Sequence, residues 1–307
     1  TRSFLLATPG PYDKFLNEPY ANPWLEHPQS IDSTVRFPFT TLEYHFDGAP
    51  LEVTGEVFSP FVPHDSRSSG QPMAYFTFAV RNTSRTALRL SLFGALRNLV
   101  GYTDTSRQST IHDEGSHLVF TRAGVDETAN DFGSMVLGVL PTARTRHSTV
   151  RHPRNGRDIW EPLRDAHSLE NHDIGDFAGT MGNVGDTRRA ALRTGLPFGV
   201  LAQTLTIPAR ATRTLGFVLA WHFPSFHERP YSARGCDAAA IGHRYAEWFE
   251  DAPAVYRAAT AHYRTLRRKT ATFADAYYES SLPRWLLDAV VAQFTTLVKS
   301  SWWDRAG

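Results

Sequence analysis

Met73-Ala74-Tyr75-Phe76-Thr77-Phe78-Ala79-Val80-Arg81-Asn82-Thr83-Ser84-Arg85-Thr86-Ala87-Leu88-Arg89-Leu90-Ser91-Leu92 is the stretch on which the fold turns. Ala74, Phe76, Phe78 and Val80 alternate with Tyr75, Thr77 and Ala79; past a polar break, Leu88, Leu90 and Leu92 alternate with Arg89 and Ser91. A period of two marks extended chain, because successive side chains of a strand point to opposite faces. Asn82-Thr83-Ser84-Arg85 supplies short polar side chains that bond their own backbone, so the segment predicts two half-buried strands joined as a β-hairpin. Asn82-Thr83-Ser84 also spells a glycosylation acceptor, but the turn accounts for these residues without it.

Working outward, the chain is strand-like from about Phe37 to Phe223: Leu51 to Phe58, His117 to Thr121, Met135 to Leu140, Phe198 to Ile207 and Thr214 to Trp221. Short strands separated by turns, with no helical periods between them, predict a mainly β fold built as a large antiparallel two-sheet sandwich. No Gly-x-Gly-x-x-Gly follows a strand, and Gly175, Gly179, Gly182 and Gly185 read as loop glycines. Near Tyr231 to Ala238 helical spacing takes over, dividing the chain into 1–235 and 236–307. Asp251 can cap, and Pro253 can occupy the first turn of, a long helix whose face runs through Val255, Ala258, Ala259, His262, Leu266, Phe273 and Tyr277. After Ser281 and Pro283 a second, antiparallel helix follows, its expected buried stripe being Leu282, Trp285, Leu286, Ala289, Val290, Gln293 and Leu297. Such a pair cannot by itself bury that stripe together with Trp302 and Trp303, so further helices are expected beside it.

The chain has 307 residues, above the roughly 250 to 300 at which single cores stop growing, so two units are expected. With 32 Lys and Arg against 31 Asp and Glu, its net charge of +1 provides no global field to recruit nucleic acid. The single cysteine, Cys236, excludes an internal disulfide framework and a paired-cysteine zinc site, and suits a reducing, cytoplasmic compartment. No run reaches the roughly 20 apolar residues that cross a bilayer, which leaves peripheral contact as the form of membrane association to expect.

Among candidate functional residues, His64-Asp65 is the sharpest polar pair, aimed by the rigid Pro60-Phe61-Val62-Pro63 run before it. It could line a cleft or lock the sandwich to the helices; the plainer reading has Asp65 capping a turn and His64 bonded to backbone. Pro141 to Arg189 is polar, rich in His and Arg, and reads as a long loop with Trp160 as its apolar anchor. His147, His152, His167 and His172 lack a framework that would converge them on a metal, so no metal or cofactor is expected. As an anion patch the segment is better, but Asp158, Glu161, Asp165, Glu170, Asp173 and Asp176 dilute its charge. Trp221 and Trp285 read as core, Trp221 closing a strand and Trp285 lying on the helical stripe.

The wording Gly55-Glu-Val-Phe-Ser-Pro-Phe-Val-Pro-His-Asp65, then Pro72 to Ser84, then Leu92-Phe-Gly-Ala-Leu-Arg-Asn98, resembles the N-terminal domain of glycoside hydrolase family 116, the non-lysosomal glucosylceramidases and related β-glucosidases. Further similar blocks follow in the same order: Phe217 to Pro224 like the closing strand, Arg244 to Phe249 like the first connecting helix, and Ser281 to Leu286 like the start of the catalytic domain. The resemblance implies that the helices open an (α/α) six-hairpin toroid. It also implies a retaining mechanism with a Glu nucleophile and an Asp acid/base, carboxyls that lie about 5 to 5.5 Å apart in such enzymes. Trp302-Trp303-Asp304-Arg305-Ala306-Gly307 looks like the approach to the nucleophile motif, so both catalytic carboxyls are expected beyond Gly307 and none within this segment. His64, Asp65, Trp160, Trp302 and Trp303 remain the candidates for contact with a β-glucoside or glucosylceramide. The expected partner is the chain's own (α/α) catalytic domain; the alternatives are a stand-alone carbohydrate- or glycolipid-binding sandwich and a structural docking domain.

Overall fold

A computed structural model of the chain describes residues 1–7, 24–103, 108–174, 197–228, 239–240, 242–300 and 303–305. In chain order its strands are β1 (Ser3–Phe4), β2 (Leu25–Glu26), β3 (Ser30–Arg36), β4 (Phe39–His45), β5 (Leu51–Phe58), β6 (Met73–Asn82), β7 (Leu88–Arg97), β8 (Ser109–Asp113), β9 (His117–Arg122), β10 (Ser134–Leu140), β11 (Arg146–Arg151), β12 (His172–Asp173), β13 (Phe198–Ile207), β14 (Thr212–His222), β15 (His227–Glu228) and β16 (Ala239–Ala240). The helices are α1 (Ser66–Ser69), α2 (Arg157–Asp165), α3 (Ala252–Tyr278) and α4 (Arg284–Ser300), with a 3₁₀ turn at Arg244–Glu247. Among the described residues no helix is long and apolar enough to cross a membrane.

Two sheets face each other. The larger is eight-stranded and antiparallel throughout, in the order β3-β4-β5-β6-β14-β10-β9-β8; the smaller is β12-β11-β13-β7. Between them Leu118, Phe120, Leu137, Val139, Leu201 and Phe217 form one core, continued at the other end by Tyr44, Val53, Val80, Ile207 and Leu215. The strand positions predicted from alternation hold closely, but β6 and β7 do not form a hairpin. β6 pairs with β5 and β14 in the large sheet, whereas β7 pairs with β13 in the small one. The link between them crosses from sheet to sheet, as does the link from β13 to β14. Asn82 joins the two crossings: fully buried, its side-chain amide donates to Thr86 O at 2.7 Å, Ile207 O at 3.1 Å and Pro208 O at 3.1 Å. That nitrogen is the one a glycan would need, so the acceptor reading fails on burial and bonding together.

Each sheet also has an outer layer. α3 lies across the large sheet, packing Ala252, Val255, Tyr256, Ala259 and Leu266 onto Phe58, Met73, Tyr75, Val136, Leu140 and Val218. β6 is therefore covered on both faces, Met73 and Tyr75 toward α3 and Phe76 and Phe78 toward the other sheet. Gly138 is fixed by this contact, since a Cβ there would lie 2.2 Å from the Tyr256 ring. On the opposite side α2 covers the small sheet with Ile159 and Leu163 over Val150, Val200 and Ala202. The expected long loop from Pro141 is thus corrected as far as Ile174: it contains β11, α2 and β12. Its glycine-rich continuation lies outside the described residues, as do Cys236 and the 235/236 division.

The predicted cap of the long helix holds: Asp251 accepts from Ala254 N at 2.7 Å. Residues 244–249, expected as a helix, form only a short 3₁₀ turn. α4 returns along α3, with Tyr277 Oη donating to Leu287 O at 2.9 Å and Phe294 packed on Phe273 and Tyr277. Among its described side chains the buried ones are Leu287 and Val291, so the expected stripe is wrong by a rotation: Trp285 is 71% exposed, and Leu282 and Val290 are exposed with it, while the Leu297 side chain lies outside those described.

Candidate functional site

The sequence candidates near Pro60 converge on the seam between the sandwich and the helices. Pro60-Phe61-Val62-Pro63 keeps the chain stiff after β5, and the Phe61 ring enters a cluster with Phe37 at 5.0 Å, Phe273 at 5.4 Å and Phe294 at 6.2 Å. Phe61 N donates to buried Thr270 Oγ1 of α3 at 3.3 Å. Asp65 then caps α1, accepting from Ser68 N at 2.9 Å and Ser68 Oγ at 2.7 Å, and also accepts from Lys269 Nζ at 2.9 Å. The Ser68 hydrogen bonds, followed by Lys269, hold its carboxyl down at about 2. On β5, just before this loop, Glu56 is gripped by Arg267 of α3 through two bonds of 2.7 Å. Asp65 therefore caps α1, the plainer of the readings its position allows, and also ties this loop to α3 through Lys269. His64 is exposed and takes φ 63°, the left-handed turn that lets α1 begin.

Beyond α1 the same seam carries an aromatic and cationic cluster. The Arg67 guanidinium lies 5.3 Å over Trp248, Trp248 meets Trp303 edge-on at 5.2 Å, and Arg244 lies 5.7 Å over Trp303. Gly70 sits against both indoles, each 3.5 Å from where its Cβ would be. Backbone bonds complete the seam: Arg244 N donates to Trp303 O at 2.9 Å, and His243 bridges Asp304. The Arg305 guanidinium also bonds Glu247. The structure so brings Asp65 with its helix α1 and Trp303 into one region, with Trp303 still 37% exposed. Trp302 lies outside the described residues. Arg67 and Arg244 had no sequence signal of their own; their part follows only from the tryptophans they cover.

Trp160 belongs elsewhere. It is 4% exposed on α2, with Phe93 at 4.9 Å and Trp24 at 6.3 Å, so it anchors the small sheet's outer layer, on the side opposite α3. The histidines of this segment engage near neighbours: His147 with Thr145 at 2.8 Å, His152 with Asp173 at 3.0 Å and His167 with Ser91 at 2.9 Å. Among the described residues no three His, Cys, Asp or Glu gather as a metal shell.

A glycosidase acid must hold its proton near neutral pH, which needs a carboxyl pushed upward. Every carboxyl among the described residues that departs clearly from its ordinary value moves the other way. Arg2 lowers Glu26, Arg164 lowers Asp165 and Arg305 lowers Glu247. In Asp131 and Asp158 burial pulls upward and is outweighed by hydrogen bonds from Thr103 and Arg154.

Compared with known proteins, residues 10–266 match the family model described as beta-glucosidase 2, glycosyl-hydrolase family 116 N-term. Among solved structures, a protein assigned as a kojibiose phosphorylase from the human microbiome shares 9% identity at TM-score 0.39, over 78% of this chain and 23% of that one. The heparan sulfate lyase HepC from Pedobacter heparinus shares 10% identity at TM-score 0.32, over 69% of this chain and 24% of that one. The chain thus spans about a quarter of the length of either.

Proposed function

From the premise that this chain belongs to glycoside hydrolase family 116 through that family's N-terminal domain, we propose that it is the noncatalytic front of a retaining β-glucosidase or glucosylceramidase. In this reading α3 and α4 lead into an (α/α) toroid, and that helical domain supplies both the nucleophile and the acid/base. The sandwich braces the toroid, and the seam around Trp248 and Trp303 borders the glycoside cleft. A β-glucoside, glucosylceramide included, is the substrate class, and the single cysteine suits a cytoplasmic protein that touches membranes at most peripherally.

The observation that carries the proposal is the outer face of α4. Leu287 and Val291 already pack inward, yet Trp285 and Val290 stand in water on other sides of the helix, as does Leu282 just before it. A helix apolar on two sides is what a layer between two other layers looks like, and ring helices are such a layer. The downward-shifted carboxyls support the same reading, since none of them suits the acid role.

Purified residues 1–307 should leave an aryl β-glucoside intact, while the full-length protein containing the segment hydrolyses it. Turnover by the segment alone would refute the proposal. Saturable binding of glucose by the segment alone would instead favour a stand-alone binding module.

A further inference from the structure

We propose that an open cleft of about 820 Å³ at the bare end of the small sheet binds a multiply phosphorylated ester through Arg89, Arg144, Arg146 and Arg213. The cleft comes from the way α2 covers the sheet. Strands β11, β13 and β7 share an outer face on which Val150, Val200 and Ala202 lie under Ile159 and Leu163. Further along the same face α2 has ended. There the register pairs Arg146 with Thr204 and Thr206 with Arg89, so two arginines flank β13 where the apolar cover stops. Arg144 joins from the turn before β11 and Arg213 from the start of β14 in the other sheet.

Among the described residues no carboxylate lines this cleft and none of its four arginines makes an ion pair, Arg213 bonding only the Thr212 carbonyl. The neighbouring helix shows the contrast: Arg154, Arg157 and Arg164 are matched by Asp158, Glu161 and Asp165. Three of the acids that dilute the charge of this segment in sequence, Asp158, Glu161 and Asp165, are thus spent on α2, and Asp173 pairs with Arg151 and His152, leaving Arg144 and Arg146 at the far end to join two arginines from distant strands. Arg89 leans on the end of α2 through Ala166 O at a long 3.4 Å, which leaves the rest of its guanidinium available. Several like charges around one concavity raise its potential, and planar guanidinium forks match phosphate oxygens two at a time. The exposed Thr206 hydroxyl adds a neutral donor beside them.

The test is calorimetric titration of the chain with pyrophosphate at low salt. It is paired with flotation on phosphatidylcholine vesicles that do or do not contain phosphatidylinositol bisphosphate. Arg144→Glu/Arg146→Glu should weaken pyrophosphate binding by roughly tenfold or more, whereas Arg264→Glu/Arg268→Glu, the same charge change on exposed α3 positions, should stay within about twofold. Cleft-dependent flotation only with the phosphoinositide assigns a lipid headgroup as the source; pyrophosphate binding without flotation assigns a soluble phosphate. Should the charge reversal unfold the chain, Arg144→Gln/Arg146→Gln carries the same comparison. Absence of binding to either probe, or equal losses in the cleft and control variants, overturns the assignment.

Discussion

α3 and α4 start from the same kind of sequence, apolar residues recurring at three and four, and reach different ends. α3 finds the large sheet. Tyr256 Oη donates to Val139 O at 2.8 Å, Tyr75 Oη donates to Ala259 O at 3.0 Å, and the aliphatic stripe between is buried. α4 buries one line of residues on α3 and leaves another in water, with Trp285 71% exposed. Periodicity shows that a helix has an apolar face; only the neighbouring layer determines which face is filled. The contact of α3 with the large sheet is a closed piece of packing, and α4 is an open one.

That contrast can be broken most sharply at Tyr256. Replacing it with Ala should cost the chain about 3–5 kcal/mol in urea unfolding, the range for deleting a buried aromatic ring, while Trp285→Ser should stay within about 0.5 kcal/mol. Comparable losses at the two positions would erase the distinction. Gly138→Ala comes next, at about 1–3 kcal/mol, because its methyl would meet the Tyr256 ring. In a Tyr256→Leu background the cost of Gly138→Ala should shrink, and strict additivity in a double-mutant cycle would show that the ring is not the obstacle.

Acid should act on both sides of the sandwich. His117, His147, His167, His222 and His243 are all held below the ordinary imidazole value, burial being the largest cause in each. The unfolded chain therefore takes up protons first, from about pH 6.5 downward. Stability is full above that pH and falls as the pH drops toward the folded values, each histidine losing about 1.4 kcal/mol for every tenfold by which folding weakens its hold on a proton. A flat thermal midpoint between pH 7 and 5 would contradict this. The smallest effect belongs to the seam: Asp65→Ala should cost about 1 kcal/mol as a lost cap. Because the Asp65 carboxyl is held at about 2, its contribution is present above its unfolded value and fades as the pH falls through about 2. Wild type and Asp65→Ala should therefore converge at the acid end.

β5, β6, β7, β9, β10, β13 and β14 were legible because each is a short run of period two or a buried apolar segment, whereas β3, β4, β8 and β11, rich in Ser, Thr, His and charged residues, gave no such pattern. The partners of the legible strands were not. The alternation in β6 and β7 is satisfied equally by a hairpin and by two strands in facing sheets, and Asn82 suits a turn as well as a buried staple between crossings. α2 escaped because Pro162 interrupts its pattern and its charges read as solvated loop. Of the candidate site, Asp65 was legible as a cap and Trp303 as a candidate only through the family resemblance, whereas their meeting depends on Gly70, Trp248 and the 3₁₀ turn, which no local spacing encodes. The arginine cleft was hidden for a similar reason, since its members come from three separate stretches of chain.

The measurement that bears most directly on the account is Trp285→Asp/Val290→Asp placed both in residues 1–307 and in the full-length protein, with thermal unfolding of each and β-glucoside turnover of the latter. The account predicts an unchanged midpoint in the short chain and, in the long one, a lowered midpoint with most turnover lost. The same midpoint shift in both, or full turnover in the long protein, would contradict it.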